Sequence, residues 1–131
     1  MLGTVPGPEM VRLHSHADPE CIYILDGEME VYQESSGKGR WTQVKKGYFA
    51  AIHGNVKHAW RNTSSCPCVA LIFTGGDVHA FLRGVCELIQ AHVGEEGLSP
   101  DAITKIQELA VAHHAWIGSL EENAAIGLKL T

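Results

Sequence analysis

The stretch His14-Ser15-His16-Ala17-Asp18-Pro19-Glu20, with Gly27 a little further on, is the part of this chain whose reading decides the fold. In an extended segment alternate side chains share a face, so His14 and His16 point the same way. Asp18-Pro19 is turn chemistry, and it predicts a hairpin that brings Glu20 back beside the two imidazoles. A second stretch, running from Gly47 to Asn62, carries His58 followed by Ala59-Trp60-Arg61-Asn62, which reads as a later strand facing the same interior. Imidazole nitrogens and a carboxylate oxygen together suit first-row metals. His14, His16, Glu20 and His58 are therefore the candidate ligands of one divalent transition metal, whether Fe, Ni, Mn or Zn. A single strand histidine is ordinarily just a hydrogen-bonded polar residue. Four ligand types at two matching spacings are not explained that way.

These residues resemble the two motifs of the cupin superfamily. The first motif runs Gly, five residues, His-x-His, three or four residues, Glu, six residues, Gly. His14, His16, Glu20 and Gly27 fit it, and Gly7 lies one residue too far upstream. The second runs Gly, five residues, Pro-x-Gly, two residues, His, three residues, Asn, and Gly47, His58 and Asn62 fall in register. His53 stands where Pro is usual and Asn55 where Gly is usual; Asn is the residue that best tolerates the left-handed conformation of a turn glycine. The resemblance implies a mainly β fold, a single cupin-type jelly-roll β-barrel. A Gly-Gly turn followed by helices is similar to the tail of small cupins of the quercetin dioxygenase-like group, and it extends the resemblance over most of the chain.

The periodicity agrees. Met10 to His16, Cys21 to Leu25, Glu28 to Glu34, Arg40 to Val44, Tyr48 to Ile52, Val56 to Asn62 and Val69 to Thr74 read as short strands separated by turn residues. Asp26-Gly27 is a strong hairpin signal and Ser35-Ser36-Gly37-Lys38-Gly39 a looser one. The period changes after Thr74-Gly75-Gly76. Asp77 is an expected N-cap, and Val78, Phe81, Leu82, Val85, Leu88 and Ile89 share one helical face. A loop is expected over 92–97. Ser99-Pro100-Asp101 then opens a second helix whose buried face is Ile103, Ile106, Leu109, Ala110 and His113. Two C-terminal α-helices packed outside the barrel are thus expected, with residues 1–76 forming the barrel and 77–131 a helical extension of the same domain. His113 and His114 read as surface residues facing a helix C-terminus.

About a dozen residues precede His14, and Pro6 and Pro8 limit their pairing, so a neighbouring subunit is expected to complete the sheet in a homodimer. A chain of 131 residues is long enough for one core. Lys and Arg number 10 against 15 Asp and Glu, with no basic run, which argues against nucleic acid or an anionic membrane as partner. No apolar stretch reaches a membrane span, and the first residues lack the charged start of a signal peptide, so a cytoplasmic protein with a small-molecule substrate is expected. Cys21, Cys66, Cys68 and Cys86 could form a disulfide pair that a chain with this much core does not need, and Cys66-Pro67-Cys68, a candidate soft-metal or redox pair, reads chiefly as one or two ordinary buried thiols.

Counting by two places Arg12 and Met10 on the face of His14, Ile22 and Ile24 on that of Glu20, and Trp60 on that of His58. Arg12, Ile22 and Trp60 are the candidate substrate-binding residues. Arg12 reads equally well as a partner for a substrate carboxylate or as one half of a salt bridge at the rim. Three imidazoles and a carboxylate leave about two positions open on an octahedral ion, room for a substrate oxygen and for dioxygen or water. With a redox metal the resemblance implies a dioxygenase-like oxidoreductase acting on an enol, phenol or diketone, with Glu20 as ligand and catalytic base. A non-redox ion would instead run isomerase, cyclase or lyase chemistry. A non-catalytic binding module is the remaining class.

Overall fold

A computed structural model describes residues 1–94 and 97–129. The chain runs β1 (Leu2–Val5), β2 (Glu9–Ser15), β3 (Glu20–Asp26), β4 (Glu28–Ser35), β5 (Lys38–Lys45), β6 (Phe49–Ile52), β7 (His58–Asn62) and β8 (Cys68–Thr74). It continues with α1 (Gly76–His92), β9 (Val93–Gly94), β10 (Gly97–Leu98), α2 (Pro100–Ala112), β11 (Trp116–Ile117) and α3 (Leu120–Ala125). Two antiparallel sheets face each other, in strand orders β1-β8-β3-β6 and β11-β2-β7-β4-β5. This is a jelly-roll arrangement whose sheets do not close into a continuous barrel.

Alternation explains the core. In β3, Glu20, Ile22 and Ile24 are buried while Cys21 and Tyr23 between them are only half-buried, as period-two patterning requires. Ile22 and Ile24 meet Met29 and Val31 of β4, Val44 of β5 and Ile52 of β6 between the sheets. A second cluster lies on the outer face of the five-stranded sheet, where the C-terminal segment lays Leu128 over Leu13, Tyr32 and Ala59. The described part of the C-terminal segment is therefore knitted into the sandwich, since Trp116 and Ile117 also pair with Ser15 and His14 at its edge.

The turns differ from their sequence reading in an instructive way. Asp26-Gly27 is not a hairpin: β3 and β4 belong to opposite sheets, and Gly27, at φ 78°, is the corner where the chain crosses between them. A Cβ there would press on the Pro67 carbonyl, which is why only glycine fits. The looser-looking signal is the true two-residue hairpin, with Ser36 and Gly37 both at positive φ and Ser35 paired to Lys38. The same crossing separates His16 from Glu20. β2 pairs with β7 and β3 with β6 and β8, so Glu20 faces the histidines across the sandwich rather than along one hairpin.

The N-terminal anomaly resolves within the chain. Leu2–Val5 pairs antiparallel with β8, from Leu2 opposite Leu71 to Val5 opposite Cys68. The strand expected from a neighbour is supplied by residues that precede Pro6 and so escape its restriction.

Three helices are described where two were expected. α3 is announced by a capping box, in which Ser119 accepts from the Glu122 amide and the Glu122 carboxylate accepts from the Ser119 amide. α1 and α2 pack on one another, with Val78 and Phe81 buried, although Ile103 on the supposed inner face of α2 is 45% exposed. Ser99 caps α2 as read. The expected loop over 92–97 contains the short β9–β10 ladder; Glu95, Glu96 and the side chain of Ile89 lie outside the described residues.

Candidate metal centre

His14, His16, Glu20 and His58 converge, each offering a ligand atom within 4.8 Å of the others. Glu20, His16 and His58 are buried and His14 is half-buried. Each imidazole spends its Nδ1–H on a backbone carbonyl two residues away: His14 on Arg12 at 2.8 Å, His16 on Asp18 at 2.7 Å and His58 on Val56 at 2.8 Å. A carbonyl can only accept, so the three rings are held in one tautomer with Nε2 free toward the interior. Glu20 Oε2 lies 3.2 Å from Nε2 of His58 and 3.4 Å from Nε2 of His16. A shared proton or a shared cation satisfies such a set. The donors fit a first-row metal in type, count and orientation. Among the described residues no other group of three His, Cys, Asp or Glu side chains converges in this way.

The electrostatics favour the ligand-ready forms of His14 and Glu20, and the protonated form of His16 while no cation is shared. Burial, reinforced by the neighbouring His58, pushes His14 down to about 3, so it is neutral at ordinary pH. Burial alone would raise Glu20, but hydrogen bonds from His16 and His58 outweigh it and hold the carboxyl at about 2. His16 is affected first by burial, which lowers it, but its bonds to Glu20 and to the Asp18 carbonyl move it above its ordinary value.

Backbone features that the sequence did not announce hold these rings. Between Val11, paired with Trp60, and His14, paired with His58, β2 has one residue too many and bulges. The bulge resets the alternation, so Val11 rather than Arg12 lies opposite Trp60. Met10 pairs with Arg61 and is exposed, and Arg12 is exposed at the bulge, contributing its carbonyl to His14. Trp60 packs against the core cluster that contains Ile22. The bulge is clamped from the C-terminal segment: the Leu13 amide donates to Oδ1 of the fully buried Asn123 at 2.7 Å, and the Gly118 amide donates to the Leu13 carbonyl at 2.7 Å.

On the other side of the cluster, the turn at 53–56 rests on the ligand segment. The Asn55 amide donates to the His16 carbonyl at 2.7 Å, and Asn55 adopts φ 64°, the left-handed conformation anticipated for it. His53 is exposed. Gly54 approaches so closely that a Cβ would overlap the Ala17 carbonyl oxygen. Gly54→Ala is accordingly expected to cost about 1–3 kcal/mol in stability by overpacking and to weaken metal binding, measured by urea denaturation and metal titration. Unchanged values in both would show that the contact is not constraining.

Asp18 links the centre to the helices. Its carbonyl holds His16, while its Oδ2 accepts from the amides of Asp77 and Val78 at 3.2 and 3.3 Å, capping α1 from a distant part of the chain. Asp77, the expected cap, turns instead to His113 and His114, which donate from Nδ1 at 2.7 and 3.4 Å and hold its carboxyl below the usual range. The second-motif Asn62 is structural. Buried, it donates to the Val5 and Cys66 carbonyls and accepts from Ser64, tying β1 to the loop before β8. All four cysteines are free; Cys68 is buried, where burial raises its thiol, and Cys66 is exposed.

Residues 1–74 match the cupin domain family. The chain belongs to the cupin superfamily. Among solved structures this cupin is similar to a protein from Thermus thermophilus, at 23% identity and TM-score 0.51, covering 56% of this chain and 68% of that one. It is also similar to the Drosophila melanogaster CENP-C cupin domain, at 16% identity and TM-score 0.52, covering 57% and 60%. A variant of Bacillus subtilis oxalate decarboxylase matches at 28% identity and TM-score 0.50, covering 55% of this chain and 20% of that one. Comparison with curated protein sequences finds no significant match. No described helix of this cupin is long and apolar enough to cross a membrane.

Proposed function

We propose that this cupin is a metal-dependent enzyme of the dioxygenase type that acts on a small oxygen-bearing molecule such as an enol, phenol or diketone. The observation that carries the reading is the convergence of three tautomer-locked Nε2 atoms on the Glu20 carboxylate. A resident Fe(II), Ni(II) or Mn(II) would supply Lewis acidity, redox capacity and open positions for oxygen ligands. His14, His16 and His58 would hold it, with Glu20 completing the set. Glu20 is ionised at neutral pH, so it can also accept the proton of an incoming substrate hydroxyl. Ile22 and Trp60 supply an apolar surround that limits water beside that proton transfer.

The experiment is metal analysis of the isolated protein, followed by oxygen uptake with a panel of enols, catechols, diketones and keto acids. Glu20→Gln keeps the shape of the side chain but loses its charge and basicity. It is expected to stay folded and retain some metal while turnover falls about a hundredfold or more. A metal-loaded wild type that binds one of these compounds tightly but converts none of them would overturn the enzymatic reading in favour of a binding module. A non-redox lyase or isomerase reaction is the second reading, favoured by the likeness to an oxalate decarboxylase. Product formation without oxygen uptake distinguishes it.

A further inference from the structure

One row of residues crosses the inner face of the five-stranded sheet. His14 pairs with His58, His58 with Gln33, and Gln33 with Arg40. Directly opposed residues share a face, and the buried Val31 and Val44 on the same two strands identify that face as the inner one. Gln33, Ser35, Arg40 and Thr42 continue it beyond the core, at the end of the sandwich where the metal ligands lie. With Lys38 and Gly39 they line a cavity of about 400 Å³. Strands in a sheet lie roughly 4.8 Å apart, so the Arg40 Cα is about 10 Å from that of His58. An arginine side chain is long enough to close much of that gap.

Among the described residues Arg40, like Arg12, has no acid beside it, but Arg40 alone of the two lines this cavity. Arg61 is paired with Glu30 and lies over Trp41, and Arg83 is paired with Glu87. Among the described residues no carboxylate pairs with Arg40 or Lys38, and the other side chains lining their cavity are uncharged. Two unpaired cations beside a uniformly uncharged, hydrogen-bonding lining are what an anion needs. Guanidinium binds carboxylate through two parallel hydrogen bonds, and the amide of Gln33 and hydroxyl of Thr42 can complete its coordination.

We propose that Arg40, assisted by Gln33 and Thr42, is a carboxylate-binding subsite of the metal pocket, so that the substrate is an organic anion reaching from the metal ligands to Arg40. This deepens the metal-enzyme reading and rests on it for the second anchor of the substrate. Arg40 takes the role that the spacing offered to Arg12, because the bulge in β2 takes Arg12 out of register with the ligand row, whereas Arg40, exposed like Arg12, lies in that row.

Two measurements test it. In the metal-free protein, millimolar benzoate should produce saturable NMR shifts at the amides of Gln33, Arg40 and Thr42. Benzamide should not, and Arg40→Gln should abolish the benzoate effect. In cobalt-loaded protein, followed by its visible absorption, 3,4-dihydroxybenzoate should bind at least about tenfold tighter than catechol. Arg40→Gln should remove that preference while leaving catechol affinity unchanged, and Arg40→Lys should restore part of it. Absence of saturable benzoate shifts, or their persistence in Arg40→Gln, overturns the subsite. So does equal binding of the two catechols by the loaded wild type. Failure of the protein to take up cobalt counts against the metal-enzyme reading alone, and the benzoate result then stands or falls by itself.

Discussion

The wild type is expected to purify with about one equivalent of metal and a His14→Ala, His58→Ala protein without it. Both rings aim Nε2 at the common centre, their Nδ1 atoms being held by the Arg12 and Val56 carbonyls. Removing both leaves one imidazole and one carboxylate, an incomplete set for any of the four candidate ions. Loss of a single outer partner of a metal-bound histidine commonly costs about 10–100-fold in affinity, so loss of two ligands should exceed a hundredfold. Plasma emission analysis after dialysis measures it. One full equivalent of metal in the double variant would sink the four-ligand centre. The same variant also isolates Glu20 with His16, so the protein should remain folded at neutral pH, which circular dichroism checks.

Asn123→Leu is expected to be the most destabilising change far from the centre. The Asn123 side chain is fully buried and makes three hydrogen bonds, accepting from the Leu13 amide and donating to the Gly118 and Ser119 carbonyls. Leucine of similar size strands the Leu13 N–H and the Gly118 carbonyl, while the Ser119 carbonyl keeps its bond from the residue 123 amide, and each unsatisfied group costs about 1–3 kcal/mol. A loss of about 3 kcal/mol or more follows, or a fall in Tm on the order of 10 °C for a domain of this size. Because Leu13 adjoins His14 on the bulge, metal affinity should drop as well. A Tm within about 2 °C of wild type, by differential scanning calorimetry, would show that the clamp is not needed.

The ligands were legible because their signal is local. His14 and His16 stand two apart, Glu20 follows after a turn, and His58 lies at a fixed distance behind Gly47. Strand existence was legible for the same reason: short runs rich in β-branched and aromatic residues between turn residues, such as Cys21 to Leu25 and Val69 to Thr74, need no partner to be seen. The tight hairpin at Ser36-Gly37 and the sheet crossing at Asp26-Gly27 look alike in sequence because Gly at positive φ serves both. Gly27 and Gly37 carry the same conformation, one at a corner between sheets and one in a two-residue loop. Only the partners of the flanking strands separate them. Leu2–Val5 was passed over because the prolines that follow it drew the argument, although β8 offered it an edge.

From its sequence alone this protein reads as a cupin with three histidines and one glutamate as candidate ligands, because those residue types at those spacings are a property of short stretches of chain. The tertiary structure alone decided which side chains share the pocket. A single extra residue in β2 reverses the facing of everything before it, moving Arg12 off the face of the ligand row, and the register of β4 and β5 sets the exposed Arg40 in line with that row. Side-chain facing in a sheet has a period of two, so a bulge of one residue exchanges the two faces, and a bulge is settled by hydrogen bonds from elsewhere in the fold. Here they come from Gly118 and Asn123, more than a hundred residues along the chain from the strand they hold.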